Sequence, residues 1–286
     1  MTNPDPDKLT APAQGRAPSN LVMRIAAAAV LAPLAIAIAW AGGWLWALLV
    51  IAAAVGLYVE WLLIVNATQD RRAMIVGVAA LVIAGFSIAC GYAGGALAVV
   101  AAGIVVVVVA VASAEGQAWN ATGLLYAGAA LLAAILVRLD PVMGFTALMF
   151  TLLVVWVTDI GGYFAGRGIG GPKLWPRVSP NKTWAGAIGG LVLSIAVAIT
   201  FALLGFGKLT SSVALATVLS VVSQLGDLFE SAVKRRFGVK DSSRIIPGHG
   251  GLLDRLDGFV AAIVIAALIG FLRGGVDGVG RGFMVW

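Results

Sequence analysis

The sequence predicts an all-α, polytopic integral membrane protein with about nine transmembrane helices. Of the 286 residues, 61% are hydrophobic and only 11% are charged, whereas ordinary soluble domains are about 25% charged. Apolar runs of about 20 residues, the length that crosses a bilayer, recur along the chain. The chain has one Cys and one His, which excludes a disulfide framework and disfavours a Cys/His zinc site.

The apolar runs define four parts of the chain. Residues 1–20 are polar and hold four of the ten prolines, so we expect a disordered tail. We expect N-terminal transmembrane helices over 21–138, a C-terminal transmembrane region with two cytoplasmic loops over 139–273, and a tail over 274–286. Because many spans follow, the first run is expected to be retained rather than removed as a signal peptide. The predicted spans are about 21–40, 43–65, 73–93, 95–114, 118–137, 142–164, 185–205, 209–233 and 251–272.

Lysine and arginine set the predicted orientation, because cytoplasmic loops of membrane proteins are enriched in both. With the N-terminus in the cytoplasm, most of the 19 basic residues fall on the cytoplasmic side and the C-terminus lies outside. The basic residues that fall outside are Arg138, Lys208, Arg273 and Arg281. No basic tract is interleaved with exposed aromatic residues, so nucleic acid is not an expected partner.

Two of the predicted cytoplasmic loops are long, although most loops are short. They are GRGIGGPKLWPRVSPNKTWAG, residues 166–186, and KRRFGVKDSSRIIPGHGG, residues 234–251. Ser179 and Thr183 are placed to cap the helix after the first loop, whose N-terminus favours an anion, although capping alone is an alternative. His249 stands between glycines, which indicates close approach to a ligand, with a solvated histidine as the alternative. Such loops are candidates for function.

Polar side chains follow single faces of three predicted helices near their cytoplasmic ends. On the helix that enters the second loop they recur at helical spacing and are Ser223, Gln224, Asp227, Glu230, Ser231 and Lys234. Asp254 and Asp257 share one side of the next helix, and Asp159 shares a face with small residues near the end of the sixth span. A polar stripe in a membrane helix lines a cavity or meets another polar face.

Five acids therefore converge near two basic loops. Carboxylates bind hard cations and basic side chains bind phosphate, so this combination predicts a metal–phosphate site. The structural alternative is that the acids only form ion pairs with Lys234, Arg235, Arg255 and the bases of the first loop.

The segment SAVKRRFGVKDSSRIIPGHGGLLDRLDG, residues 231–258, resembles the signature of the phosphatidate cytidylyltransferases. That signature runs S-x-x-K-R, four residues, K-D, then H-G-G-x-x-D-R-x-D. Every one of its positions is filled, by Ser231, Lys234, Arg235, Lys240, Asp241, His249, Gly250, Gly251, Asp254, Arg255 and Asp257. The upstream SPNKTW and GDLFES also resemble family segments, whereas Ala185 stands where an acidic residue is often found. The resemblance covers roughly residues 140–270.

The resemblance implies that CTP and phosphatidic acid react to give CDP-diacylglycerol and pyrophosphate, with Mg²⁺ as cofactor together with K⁺. It also implies a homodimer in the bacterial inner membrane with its active site at the cytoplasmic face. The catalytic residues expected are Asp227, Lys240, Asp241, Asp254 and Asp257. The substrate-binding residues expected are Asp159, Ser179, Lys182, Thr183, Ser231, Lys234, Arg235, His249 and Arg255. Asp227 and Asp254 are expected to hold Mg²⁺, with Asp257 and Glu230 in support.

Two other functions use acids in a membrane. A CDP-alcohol phosphotransferase carries the pattern D-G-x-x-A-R…G-x-x-x-D-x-x-x-D, which is absent from this sequence. An ion-coupled transporter places acids near the middle of its spans and uses broken helices. Here the acids cluster at one end of their predicted helices, which favours the enzyme.

Overall fold

The described part of the protein is a bundle of long helices with one small β-hairpin. The computed structural model describes residues 20–68, 70–110, 117–243 and 250–286. The elements are α1 Asn20–Ala41, α2 Gly43–Ile64, α3 Arg71–Ala89, α4 Ala93–Ala110, α5 Gln117–Leu139, α6 Gly144–Gly168, β1 Lys173–Trp175, β2 Ser179–Thr183, α7 Trp184–Leu203, α8 Leu209–Arg236, α9 Leu253–Gly274, the 3-10 turn Val276–Gly278 and α10 Val279–Met284.

The predicted fold class is confirmed, and each predicted span coincides with one of α1 to α9 to within a few residues. Among the described residues, seven helices are long and apolar enough to cross a membrane, namely α2, α3, α5, α6, α7, α8 and α9. Helices α1 and α4 supply shorter apolar segments, Ala29–Ala41 and Ala93–Val109. The count of nine spans therefore stays a prediction. Residues 1–19 of the predicted N-terminal tail lie outside the described residues, and the predicted C-terminal tail forms the 3-10 turn and α10.

Successive helices run in opposite directions, so the connections between them lie at two opposite ends of the bundle. The hairpin end carries β1, β2 and residues 65–68, 237–243 and 250–252. There Trp61 of α2 donates to the carbonyl oxygen of Trp119 in α5 at 2.8 Å. At the opposite end, Arg138 of α5 donates to the carbonyl oxygens of Ala39 and Trp40 in α1. The four basic residues predicted to fall on the outer side belong to elements of this opposite end.

Glycines let α6 and α7 pack backbone to backbone. A Cβ atom added at Gly190 would lie 2.5 Å from the carbonyl oxygen of Thr158, and one at Gly161 would lie 3.0 Å from that of Gly189. In lipid, where the hydrophobic effect does not drive helices together, such close approach supplies the van der Waals contact that does. The two helices therefore form a tight pair, and the connection between them lies at the hairpin end.

The connection between α6 and α7, which the sequence predicts as a loop, contains a two-stranded sheet. Strands β1 and β2 are antiparallel, with Lys173 opposite Thr183 and Trp175 opposite Ser179. The prediction that Thr183 caps the next helix is confirmed, because its Oγ1 accepts a hydrogen bond of 3.1 Å from the backbone N–H of Gly186. Ser179 lies in β2 instead of at the cap. The strand and the cap fix the start of α7.

Asp140, which directly follows α5, connects the start of α6 to α10 at the opposite end of the bundle. Its fully buried carboxylate accepts hydrogen bonds from the backbone N–H groups of Val142 at 2.9 Å, Met143 at 3.1 Å and Arg281 at 2.8 Å. The Arg281 guanidinium adds an ion pair at 3.0 Å. Burial alone raises the pKa of Asp140, but these donors outweigh burial and hold the pKa below its ordinary value. The carboxylate therefore ties the start of α6 to α10.

We expect Asp140→Asn to lower the free energy of unfolding at neutral pH by about 1–3 kcal/mol, the usual cost of leaving buried donors unsatisfied. A carboxylate with a lowered folded pKa stabilises the protein in full above its unfolded pKa, and this stabilisation is lost as the pH falls through the folded pKa. The difference between variant and wild type should therefore shrink below about pH 4. Melting temperatures in detergent across pH measure this.

The matched control is Asp277→Asn, because the Asp277 side chain is exposed and its contact with Arg281 uses the backbone oxygen. That change should leave the melting temperature within about 1 °C of wild type. Equal destabilisation by both substitutions would show that negative charge at this end, rather than the Asp140 contacts, stabilises the fold.

Candidate active site

A cavity of about 610 Å³ opens at the hairpin end between α6, the hairpin, α7 and α8. Small residues make the space, since Gly162 and Gly166 of α6 face Gly186 of α7 across it. Polar side chains supply its chemistry. Those among the predicted site residues are Asp159, Lys182, Thr183 and Asp227.

Lys182 and Asp227 form an ion pair across this cavity. The ammonium group of Lys182, from β2, contacts Oδ2 of Asp227, from α8, and both side chains are about one third exposed, at 28% and 31%. Ser231, one turn further along α8, donates from its Oγ to Oδ1 of Asp227 at 3.4 Å. The hairpin thus places a cation against an acid of the polar stripe, where water can reach both.

A second charged cluster lies between α8 and α9 and is more buried than the pair of Lys182 and Asp227. The ammonium group of Lys234 contacts Oε2 of Glu230 and Oδ1 of Asp254, each at 2.6 Å. Only 11% of the Lys234 side chain is exposed. Asp254 also accepts hydrogen bonds from the N–H of Gly251 at 3.0 Å and from the N–H and Oγ of Ser242, both at 3.1 Å. The buried lysine therefore offsets two carboxylates, and the second loop supplies further donors to one of them.

Asp257 lies between the two clusters. Its carboxylate is within electrostatic range of Asp159 and Asp227 on one side and of Glu230 on the other. Its described hydrogen bond comes from the N–H of Gly258, at 2.7 Å from Oδ1. Glycines also bring α8 and α9 together here, since a Cβ atom at Gly226 would lie 2.8 Å from the carbonyl oxygen of Asp257. Acids of α6, α8 and α9 therefore lie near one another as the sequence predicts, since Asp159 and Asp227 line one cavity and Lys234 contacts both Glu230 and Asp254.

The remaining predicted site residues lie around these clusters. Arg235 contacts both the hairpin and the second loop. Its Nε lies 3.5 Å from the carbonyl oxygen of Val178, and one of its terminal nitrogens lies 3.4 Å from the carbonyl oxygen of Val239. The side chains of Lys240, Asp241 and Arg255 are exposed at the hairpin end, and Ser179 is half-buried in β2. His249 lies outside the described residues. The functional roles of all these residues stay predictions.

The acids around the cavity suit a divalent cation. Asp159 and Asp227 line the cavity together with Lys182 and Arg167, and Asp257 lies within electrostatic range of both acids, so three carboxylates meet two cations. Mg²⁺ usually takes one or two carboxylates and completes its shell with water and phosphate oxygens. Within the described part of the chain, no three acids or histidines already have the spacing of a metal-ligand group. Asp227 and Asp254 lie in different clusters, so their assignment as a shared Mg²⁺ pair stays a prediction.

Sequence reasoning missed Glu60 of α2. This acid is fully buried at the hairpin end and contacts the second loop and α9. Its partners lie more than 180 residues away along the chain, so no local spacing relates them. The available signal was its place in an apolar span, since an acid within a membrane helix is by default a candidate for function.

The positions of the acids also distinguish between two predicted functions, an enzyme and an ion-coupled transporter. Asp159 and Asp227 lie in the last ten residues of α6 and α8, and Asp254 lies in the first turn of α9. These helices are continuous over their described lengths. A transporter would place its acids near the bilayer midplane at broken helices, so the geometry does not support that alternative.

Comparison with known proteins identifies the family of the chain. Residues 22–272 match the model of a family described as the cytidylyltransferase family. A phosphatidate cytidylyltransferase of Brucella suis biovar 1 (strain 1330) is 43% identical over 260 residues, which cover 88% of this chain and 94% of the relative. One of Haemophilus influenzae (strain ATCC 51907 / DSM 11121 / KW20 / Rd) is 45% identical over 130 residues, covering 43% of this chain and 45% of the relative. The chain belongs to the cytidylyltransferase family.

Proposed function

We propose that the protein makes CDP-diacylglycerol and pyrophosphate from CTP and phosphatidic acid. The observation that carries this proposal is a cavity at one end of a membrane bundle, where acids from α6 and α8 lie beside a lysine from the hairpin and an acid from α9 lies within electrostatic range. Such a site suits two polyanionic substrates and a cation. The phosphatidate cytidylyltransferase names of the relatives agree with it.

The reaction joins the phosphate of phosphatidic acid to the α-phosphorus of CTP. A phosphomonoester is largely dianionic near neutral pH, since its second pKa is about 6, so one of its oxygens attacks without a general base. The new P–O bond forms as the bond between the α-phosphorus and the bridging oxygen breaks, and pyrophosphate leaves with the electron pair. The protein must hold two anions together and stabilise the charge on the leaving group.

The charged residues of the site have different roles in this reaction. Lys182 is exposed enough at the cavity to bind a phosphate of CTP when its pair with Asp227 opens. Asp227 and Asp254 are the groups that would hold Mg²⁺, with Asp257 and Glu230 in support, and Asp159 adds a carboxylate to the cavity. A bound Mg²⁺ supplies positive charge beside the transferring and leaving phosphates, and the family resemblance adds K⁺. Lys234 keeps Glu230 and Asp254 in place by ion pairs.

We place this site at the cytoplasmic face of a bacterial inner membrane, because CTP is dissolved in the cytosol and the lipid phosphate lies at the interface. A homodimer is also proposed, from the family resemblance. Purified protein incubated with radiolabelled CTP, phosphatidic acid and Mg²⁺ should transfer label to the lipid phase. Absence of label in the lipid at every Mg²⁺ concentration would contradict the proposed function.

We expect Asp227→Asn and Asp254→Asn to lower kcat by about 100-fold or more, because each removes a carboxylate from the site for the cation and phosphates. The residual activity should need more Mg²⁺ than the wild type. A Mg²⁺ titration of each variant, with expression and melting temperature checked, measures both effects.

The charge-matched control for these variants is Asp277→Asn at the opposite end, which should leave the Mg²⁺ dependence unchanged. A variant with wild-type kcat at wild-type Mg²⁺ would remove its residue from the metal site. A variant that fails to insert or melts far below wild type would instead assign the residue a structural role.

We expect Lys182→Gln to raise the KM for CTP by about 10- to 100-fold, the value of one hydrogen bond to a charged group. Arg72→Gln is the control, because Arg72 is exposed at the hairpin end near the start of α3 and away from the cavity. Steady-state kinetics with varied CTP measure both. An equal rise in KM for the two variants would mean that general positive charge at this end, rather than Lys182, attracts CTP.

The proposed orientation is tested by cysteine labelling in cells. Cys90 is exposed at the opposite end, after α3, so a membrane-impermeant maleimide should label it from outside. In a Cys90→Ala background, Arg177→Cys in the hairpin segment should react only after the cytoplasmic side is opened. Labelling of Arg177→Cys in intact cells would reverse the orientation.

A further inference from the structure

Glu60 is a fully buried carboxylate in the last turn and a half of α2, within an apolar span. It lies outside the C-terminal segment that holds the signature residues. An acid in such a place is costly unless strong donors surround it. Its surroundings therefore indicate what it does.

Four donors converge on the Glu60 carboxylate. Oε1 accepts from the hydroxyl of Ser243 at 2.7 Å and from the backbone N–H of Leu252 at 2.8 Å. Oε2 accepts from the hydroxyl of Ser242 at 2.8 Å and from the backbone N–H of Leu253 at 2.7 Å. All four distances are those of well-formed hydrogen bonds.

These contacts make Glu60 the N-terminal cap of α9. The first N–H groups of a helix have no partner within the helix, and the helix dipole favours negative charge beside them. Leu252, at the cap position, forms no side-chain capping bond. The carboxylate from α2 takes that role from another part of the chain. It also holds both described ends of the loop, because Ser242 and Ser243 precede residues 244–249 and Leu252 follows them.

The Glu60 cluster adjoins Asp254 directly. The hydroxyl of Ser242 that contacts Glu60 also lies 3.1 Å from Oδ2 of Asp254. Gly251 fills the space between them, since a Cβ atom there would lie 1.8 Å from Oγ of Ser242 and 2.5 Å from Oε2 of Glu60. A displacement of Glu60 must therefore move the donors that orient Asp254.

We propose that Glu60 is a positioning residue for the reaction, which fixes the start of α9 and the second loop so that Asp254 points to the site. This proposal rests on the proposed function. It gives the N-terminal half of the chain a specific part in catalysis, because α2 holds the loop that carries Lys240 and Asp241.

The test compares Glu60→Gln with Tyr58→Phe in the full-length protein. Gln keeps the size of the side chain but turns one acceptor oxygen into an NH₂ group that faces a backbone N–H. We expect kcat to fall about tenfold or more, since small displacements in an active site have such costs. The KM for CTP should stay within about twofold, because the cavity with Lys182 lies apart from these contacts. Trypsin should also cleave the 237–252 segment faster than in wild type.

Tyr58→Phe is the matched control, because Tyr58 is buried in the same helix and its hydroxyl donates to the carbonyl oxygen of Ala73 at 3.0 Å, away from the loop. It should lower the melting temperature without changing kcat or the rate of cleavage. If Glu60→Gln does not fold, Ser243→Ala removes one donor to Oε1 and should show smaller effects of the same kind.

Wild-type kcat and wild-type cleavage in a folded Glu60→Gln protein would overturn the proposal. Equal losses of kcat in Glu60→Gln and Tyr58→Phe would do the same, since they would reflect loss of stability alone. The cleavage assay needs no substrate. A failure of the proposed reaction would therefore leave wild-type protein without activity but would not alter the difference in cleavage.

Discussion

A carboxylate that is buried among apolar helices is stable only when cations or N–H and O–H donors surround it. The structure meets this constraint in three ways. Lys234 offsets Glu230 and Asp254, four donors surround Glu60, and Asp140 binds the backbone and side chain of Arg281. Glu60 and Asp140 contact residues more than 140 positions away, and Lys234 joins the consecutive helices α8 and α9, so the same contacts that tolerate the charge also set the arrangement of the helices.

Close packing at glycines makes the charged site possible. Gly161 and Gly190 bring α6 against α7, and Gly226 brings α8 against α9. With the backbones so close, the acids at the ends of these helices come within electrostatic range of one another. The cavity then forms where α6 and α7 connect through the hairpin, because Gly162, Gly166 and Gly186 leave space there. Small residues thus determine both the contacts and the opening.

Local patterns predicted most of the helices and the acids on their faces, because hydropathy and helical spacing are properties of short segments. The convergence of Asp159, Asp227 and Asp257 could be inferred since all three lie near the same ends of their helices. The role of Glu60 could not, because its donors lie more than 180 residues away. The Asp140 contact could not be predicted either, because Arg281 lies 141 residues away. Helix α10 and the hairpin were missed because they are short, with six residues in the helix and three and five in the strands.

The hydroxyl of Ser242 has a single hydrogen atom, yet it lies within hydrogen-bonding distance of Glu60 at 2.8 Å and of Asp254 at 3.1 Å. It can donate a full hydrogen bond to one of these carboxylates at a time. Whatever changes the charge around Asp254, such as a cation that displaces Lys234, alters how strongly Asp254 competes for that hydrogen atom. Rotation of one hydroxyl would then couple the charge around Asp254 to the hydrogen bonds of Glu60 near the end of α2, without movement of either helix.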